Sequence, residues 1–278
     1  MQELTLALVA AMAIVEPVSN GLGSDNFALV WDGTALHGLN SSGFAPAAWT
    51  RDYFVHKHGD AVPARGWDAV TVPGAVGGWA ALSQRFGKLP FADLLAPAIE
   101  LAERGYGVGV VTAASWARQV PVLRGVPGFR EAFMPGGRAP RPGERFRFPA
   151  AAATLRKIAA THGEAFYRGE IAAQLAAHAA TNGGAMTAAD LAAFAPQWVQ
   201  PIATDFAGHT VHEIPPNGQG IAALMALGLL RHHDLKALPV DSVASQHLQI
   251  EAMKLAFADV YRWVADPRAM TDVTADDL

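Results

Sequence analysis

Residues Leu4 to Val15 (LTLALVAAMAIV) form an unbroken apolar run that stops at Glu16-Pro17. A helix that is apolar on every side must be covered, so this stretch predicts a core helix closed by the Glu-Pro pair. The run is too short to span a bilayer, which takes about 20 apolar residues. A secretory leader would carry Lys or Arg ahead of the apolar stretch, whereas Glu3 stands there. With no export signal or spanning segment visible, a cytoplasmic setting is favoured and no membrane partner is expected. The helix has no cap and no polar turn before it, so a missing upstream segment is expected as well.

Composition narrows the chemistry. The chain has 278 residues, 51% of them hydrophobic and 17% charged, with a net charge of −4 and no cysteine. That length supports a sizeable core. A mildly acidic chain lacks the basic surplus of a nucleic-acid binder, and no nucleic-acid partner is expected. The absence of cysteine excludes disulfide scaffolds, thiolate zinc sites, iron–sulfur clusters and a cysteine nucleophile.

The rest of the chain reads as a mixture of helices and strands. Phe27 to Trp31 and Ala35 to Leu39 predict a hairpin turned by Asp32-Gly33. Residues 40–74 read as irregular, with His56 to Asp60 in an exposed loop. Helices are expected over Gly74 to Phe86 and over Phe91 to Arg104, the second kinked or broken near Ala96 by Pro97 and stopped by Gly105. Pro135 to Pro149 reads as a surface loop. Helices follow at Ala151 to Thr161, Glu170 to Thr181 and Thr187 to Phe194, the last opened by a Thr187/Asp190 capping-box variant. Gln197 to Phe206 and Thr210 to Ile214 read as strands, then Gly220 to His232 and Ser242 to Val264 as helices. The class is α+β, in one domain over 1–278 with no visible linker.

Side-chain constellations give little chemistry by themselves. Gly105-Tyr-Gly107-Val-Gly109 follows a helix rather than a strand, so it reads as a turn and not as a dinucleotide loop. Arg138, Arg141, Arg145 and Arg147, interleaved with Phe146 and Phe148, offer an anion or base-stacking site but read more readily as a solvated loop. His232-His233-Asp234 is explained by a helix C-terminus. His56 and His58 share a strand-like face, and His247 and Glu251 share a helix face. Neither pair has a third ligand at metal spacing, so no metal site is expected. There is no G-x-S-x-G and no S-x-x-K.

A longer series of motifs does carry information. In order, they are Val15-Glu16-Pro17 with Asn20 to Phe27, Ala45-Pro46 through Thr50-Arg51-Asp52-Tyr53-Phe54, Val72-Pro73-Gly74 through Trp79, Gly163 to Gly169, Asn182-Gly183-Gly184 through Leu191, Ile214 to Gly220, and Glu251 to Asp259. Together they resemble the gamma-glutamyltranspeptidase family, in order and spacing over nearly the whole chain. The resemblance implies an αββα sandwich of the N-terminal-nucleophile hydrolase type, of which this chain is the large-subunit portion, truncated at both ends. It implies a precursor that cuts itself before a threonine. That new N-terminal Thr then attacks a gamma-glutamyl amide, with its own α-amino group as base.

On this resemblance the partners are a small subunit carrying the nucleophile Thr and a small-molecule amide substrate, and no cofactor is implied. The T-T-H context of the nucleophile is absent here, so no catalytic residue is assigned in this chain. Glutamyl-specific members carry an arginine three residues before the Ala-Pro pair, gripping the substrate α-carboxylate, and here that position is Ser42. Ser42, Phe44 and Arg51 are the candidate acyl-pocket residues, Arg51 being either a substitute cation or one half of an ion pair. Two alternatives follow. One is a glutaryl- or cephalosporin-acylase-like amidohydrolase without glutamyl specificity, and the other is an inactive ligand-binding or scaffold protein of the same fold.

Overall fold

The computed structural model describes residues 2–59, 61–274 and 277. In chain order the elements are α1 (Gln2–Val15), β1 (Asn26–Trp31), β2 (Leu36–Ser41), α2 (Arg51–His58), α3 (Ala75–Phe86), α4 (Phe91–Arg104), β3 (Tyr106–Gly107), α5 (Val110–Leu123) and α6 (Phe129–Phe133). They continue with β4 (Arg145–Phe146), α7 (Pro149–Ala160), α8 (Glu164–Arg168), α9 (Glu170–Thr181), α10 (Ala188–Ala193), β5 (Gln197–Val199), β6 (Ile202–Phe206), β7 (His209–Glu213), α11 (Gly220–Leu230) and α12 (Val243–Trp263). They gather into two compact units, residues 1–26 with 41–196 and residues 27–40 with 197–278.

The first unit is mainly helical. α4 buries Phe91, Leu94, Leu95, Ala98 and Ala102, an i, i+3, i+4, i+7, i+11 stripe, between α1 and α7. It continues through Pro97 without the break that the proline allowed. Pro97 lies on the exposed face, where a carbonyl left without its helical donor still meets water. α1 is helical as expected but buries only one face, through Leu6, Ala10, Ala13 and Ile14. Leu4 and Leu8 stay 65% and 55% exposed. Tyr106 donates to the Ile14 carbonyl at 2.9 Å, and the Glu3 carboxylate accepts from the Lys88 and Leu89 amides, so both ends of α1 are tied down.

Two further expectations fail in this unit. Residues 51–58 are helix α2, not irregular chain, so His56 and His58 lie on a helix. None of its residues is buried and the apolar periodicity that would reveal it is missing. Its start is fixed by Thr50, whose side chain accepts from the Tyr53 amide at 3.1 Å. The supposed surface loop 135–149 contains β4, paired antiparallel with β3 in the register Tyr106↔Phe146 and Gly107↔Arg145. Phe146 points inward onto Val108, Ala113 and Trp116, a small core of its own. Gly105, at φ +82°, makes the turn from α4 into β3, as its reading as a turn requires.

The second unit holds the sheet order β1-β2-β5, a β6–β7 hairpin and two helices. β2 and β5 are antiparallel, with Gly38↔Val199 and Asn40↔Gln197 as register partners. The single strand expected over Gln197 to Phe206 is two strands. Pro201 has no N–H to donate, and the ladder ends and restarts beside it. α12 presents Ala252, Ala256 and Val260 at every fourth position, a low ridge that seats Ile221, Ala222, Ala226 and Leu230 of α11. β1 alternates, leaving Phe27, Leu29 and Trp31 exposed on one face.

Candidate active site

The segment carrying Ser42 and Phe44 is a strap, Ser41 to Pro46, clamped inside the first unit by two other motif segments. The Ser41 hydroxyl donates to the Gly74 carbonyl at 2.7 Å. The Val72 amide donates to the Phe44 carbonyl at 3.0 Å, and the Gly74 and Ala75 amides donate to the Ser24 carbonyl at 3.1 and 2.8 Å. The Gly43 amide donates to the Asp25 carboxylate at 3.3 Å. Two glycines permit this approach: a Cβ on Gly43 would fall 1.3 Å from the Val72 oxygen, and one on Gly74 would fall 1.9 Å from the Ser41 oxygen.

Aromatic residues back the strap. Phe44 meets Phe194 edge-on with ring centroids 6.1 Å apart, and Phe194 stacks on Tyr167 at 5.1 Å. The Tyr167 hydroxyl accepts from the Gly77 amide at 2.9 Å and donates to the Pro73 carbonyl at 2.9 Å. Burial pushes the Tyr167 phenol well above its ordinary pKa, so it stays a neutral donor. Farther along, the Ala47 amide donates to Asp190 at 2.9 Å. Asp190 also completes the expected capping box with Thr187, each side chain accepting the other's backbone amide.

Of the three sequence candidates, Ser42 and Phe44 share this strap, Ser42 at 8% exposure and Phe44 half-buried. Arg51 opens α2 and is exposed. No ion pair of Arg51 occurs among the described residues, so the ion-pair role is not found there.

Two further groups escaped the sequence reading. Asp25 remains exposed along one side, yet the atoms crowded around its carboxyl raise its pKa, against the lowering effect of the Gly43 amide. Its position inside the Asn20 to Phe27 motif was the available signal. Asp68, buried, gathers the Tyr53 hydroxyl at 2.8 Å, His58 at 2.7 Å and the Lys57 ammonium at 2.6 Å. Burial raises its carboxyl pKa, but the hydrogen bonds from Lys57, His58 and Tyr53 outweigh this and hold it below the usual carboxylate range. Lys57, which also donates to the Gly183 carbonyl, is raised by the same contact. This network ties α2 to the turn at Trp67–Ala69.

The family profile described as gamma-glutamyltranspeptidase matches residues 5–278. The glutathione hydrolase-like YwrD proenzyme of Bacillus subtilis is 34% identical over 276 residues, covering 98% of this chain and 52% of the relative. The oxamate amidohydrolase proenzyme of Klebsiella pneumoniae is 37% identical over 286 aligned positions, covering 99% of this chain and 53% of the relative. Among solved structures, a cephalosporin acylase from Bacillus halodurans superposes with a TM-score of 0.92 at 44% identity, over 99% of this chain and 52% of its own. The chain therefore spans about half the length of these relatives. Its fold is of the α+β, N-terminal-nucleophile hydrolase type, as the motifs imply. On the order of its motifs, the match of the profile and the superposition, the chain belongs to the gamma-glutamyltranspeptidase family.

Proposed function

We propose that this chain is the large-subunit half of an amide hydrolase or acyl transferase whose acyl pocket includes Ser42, Phe44 and Arg51. The nucleophile is an N-terminal Thr on a separate small subunit. Its hydroxyl oxygen attacks the amide carbonyl, its α-amino group takes the hydroxyl proton, and the C–N bond breaks as that proton passes to the leaving amine. Water or an acceptor amine then releases the acyl group. The half-length match to the proenzyme relatives supports a second half that carries the nucleophile. So does the exposed face of β1, where Trp31 is 61% accessible and suited to cover by another chain segment.

The observation that carries the substrate preference is Ser42 on a strap whose path is fixed by Gly43 and Gly74. A bidentate arginine–carboxylate contact contributes about 1.5–3 kcal/mol, which a serine hydroxyl does not replace. The pocket therefore favours acyl groups that lack an α-carboxylate, glutaryl-like chains among them, and likeness to a cephalosporin acylase supports this preference. A specific observation favours gamma-glutamyl substrates instead: Arg51 presents a guanidinium with no carboxylate partner among the described residues.

The test has two parts. Intact mass of the product of the full-length gene should show two fragments summing to the precursor plus one water, the smaller beginning with Thr or Ser. One uncleaved mass would instead support a binding or scaffold protein. For the processed enzyme, kcat/KM on a glutaryl anilide should exceed that on the gamma-glutamyl anilide. The reverse order would assign the carboxylate grip to Arg51.

A further inference from the structure

We infer that the lobe formed by residues 104–147 docks onto an anionic phospholipid surface. This segment carries eight arginines, no lysine and only two carboxylates, Glu131 and Glu144, in a chain whose net charge is −4. All eight arginines are exposed. Arg104 pairs with Glu100 and Arg138 with Glu144, the latter also accepting from the Arg141 backbone amide, while the guanidinium groups of the other six form no ion pair among the described residues. Like charges crowded without counter-ions destabilise a fold unless something anionic meets them.

The aromatic residues in this segment decide against nucleic acid. Phe146 is buried between the exposed Arg145 and Arg147, and Trp116, Phe133 and Phe148 pack around it. Trp116 and Phe146 are buried and Phe133 and Phe148 half-buried against them, so no ring of this cluster stands fully exposed beside the arginines for stacking on a base, which single-stranded recognition would use. What lies beside the arginines is aliphatic. Val110 and Val111, at the start of α5, are 71% and 79% exposed. Val111, Ser115, Arg118 and Val122 fall at i, i+4, i+7 and i+11 on the outer side of α5, and Arg118 is held there by a 2.9 Å bond to the Ser115 hydroxyl. Alongside, Val110, Ala114 and Ala117 floor an open groove of 580 Å³ whose far wall includes Arg138 and Arg141.

Guanidinium groups set next to exposed valines match a lipid headgroup and the methylenes directly beneath it. A purely polar polyanion would leave the valines in water. The contact lies along the surface and spans nothing, and no helix among the described residues is long and apolar enough to cross a membrane. The expectation of no membrane partner considered only spanning and export segments, and the outer face of α5 was invisible to it.

The test is co-sedimentation of the full gene product with vesicles of phosphatidylcholine, alone or with about 30% phosphatidylglycerol. Binding is expected only with the anionic lipid, falling about ten-fold between roughly 50 and 300 mM salt. The double variant R118E/R141E should abolish it, and V110S/V111S should weaken it about five-fold, with melting temperatures unchanged for these exposed positions. Equal partition onto both vesicle types overturns the proposal. So does full binding by V110S/V111S, or preferential capture by soluble polyglutamate, either of which assigns the patch to a polar polyanion or an acidic protein. The wild-type lipid comparison decides the matter even if a variant fails to fold.

Discussion

Gly43 and Val72 pass so close that a methyl group on the glycine would stand 1.3 Å from the valine carbonyl oxygen. This contact joins the Ser42 segment to the Val72-Pro73-Gly74 motif, and no side chain can be added without parting the two backbones. Gly43→Ala should therefore cost about 3 kcal/mol or more, the level of severe core strain. For a chain of this size that is roughly 6–12 °C in melting temperature, read by thermal unfolding. Activity should fall further than stability explains, because the strap that carries Ser42 moves. An unchanged melting temperature would mean that the two segments are not clamped.

Ser42→Arg supplies the guanidinium that the family resemblance implies at this position in glutamyl-specific members. If the pocket lies here, kcat/KM for a gamma-glutamyl anilide should rise roughly 10- to 100-fold, the kinetic equivalent of about 1.5–3 kcal/mol, while the glutaryl anilide gains less. Loss of activity on both substrates with an intact fold would place Ser42 outside the acyl pocket.

Tyr167→Phe removes a hydroxyl that serves two buried backbone groups, the Gly77 amide and the Pro73 carbonyl. Leaving both unpaired should cost about 1–3 kcal/mol, measured by denaturant unfolding. The ring contact with Phe194 survives the change, so a loss below about 0.5 kcal/mol would show that water replaces the hydroxyl.

Asp68 makes stability depend on acid. Its carboxyl is depressed below its ordinary value of 3.8 in the folded protein, so its contribution is present above that value and is lost as pH falls through the lower folded pKa. Wild type should lose melting temperature below about pH 4 more steeply than Asp68→Asn. The variant, which leaves Lys57 facing no anion, should be the less stable protein at pH 7 and should approach wild type in strong acid. Parallel pH profiles for the two proteins would rule out this coupling.

Much of this architecture was legible in the residues. The apolar stripe of α4, the Thr187/Asp190 box, the Asp32-Gly33 turn and the glycine stop at Gly105 are local signals, each set by a period of 3.6 or by the chemistry of one cap or turn. The family was legible too, because seven motif segments kept their order.

Helix α2 was not legible. Its sequence, RDYFVHKH, has no buried face, and its anchorage comes from Thr50 at its start and from Asp68, ten residues past its last turn. Strand β4 hid among prolines and glycines because a single inward ring, Phe146, is too little for a periodicity to detect.

By itself, then, the sequence determined which segments are helix or strand wherever the signal repeats locally, and which family the chain belongs to. Only the tertiary structure decided that Gly43 lies against Val72, that Tyr167 bridges Gly77 and Pro73, and that the arginines of 104–147 face out while their aromatic neighbours face in. Those facts depend on backbone atoms from distant segments competing for the same few ångströms, and nothing in the identity of a single residue records who its distant neighbour will be.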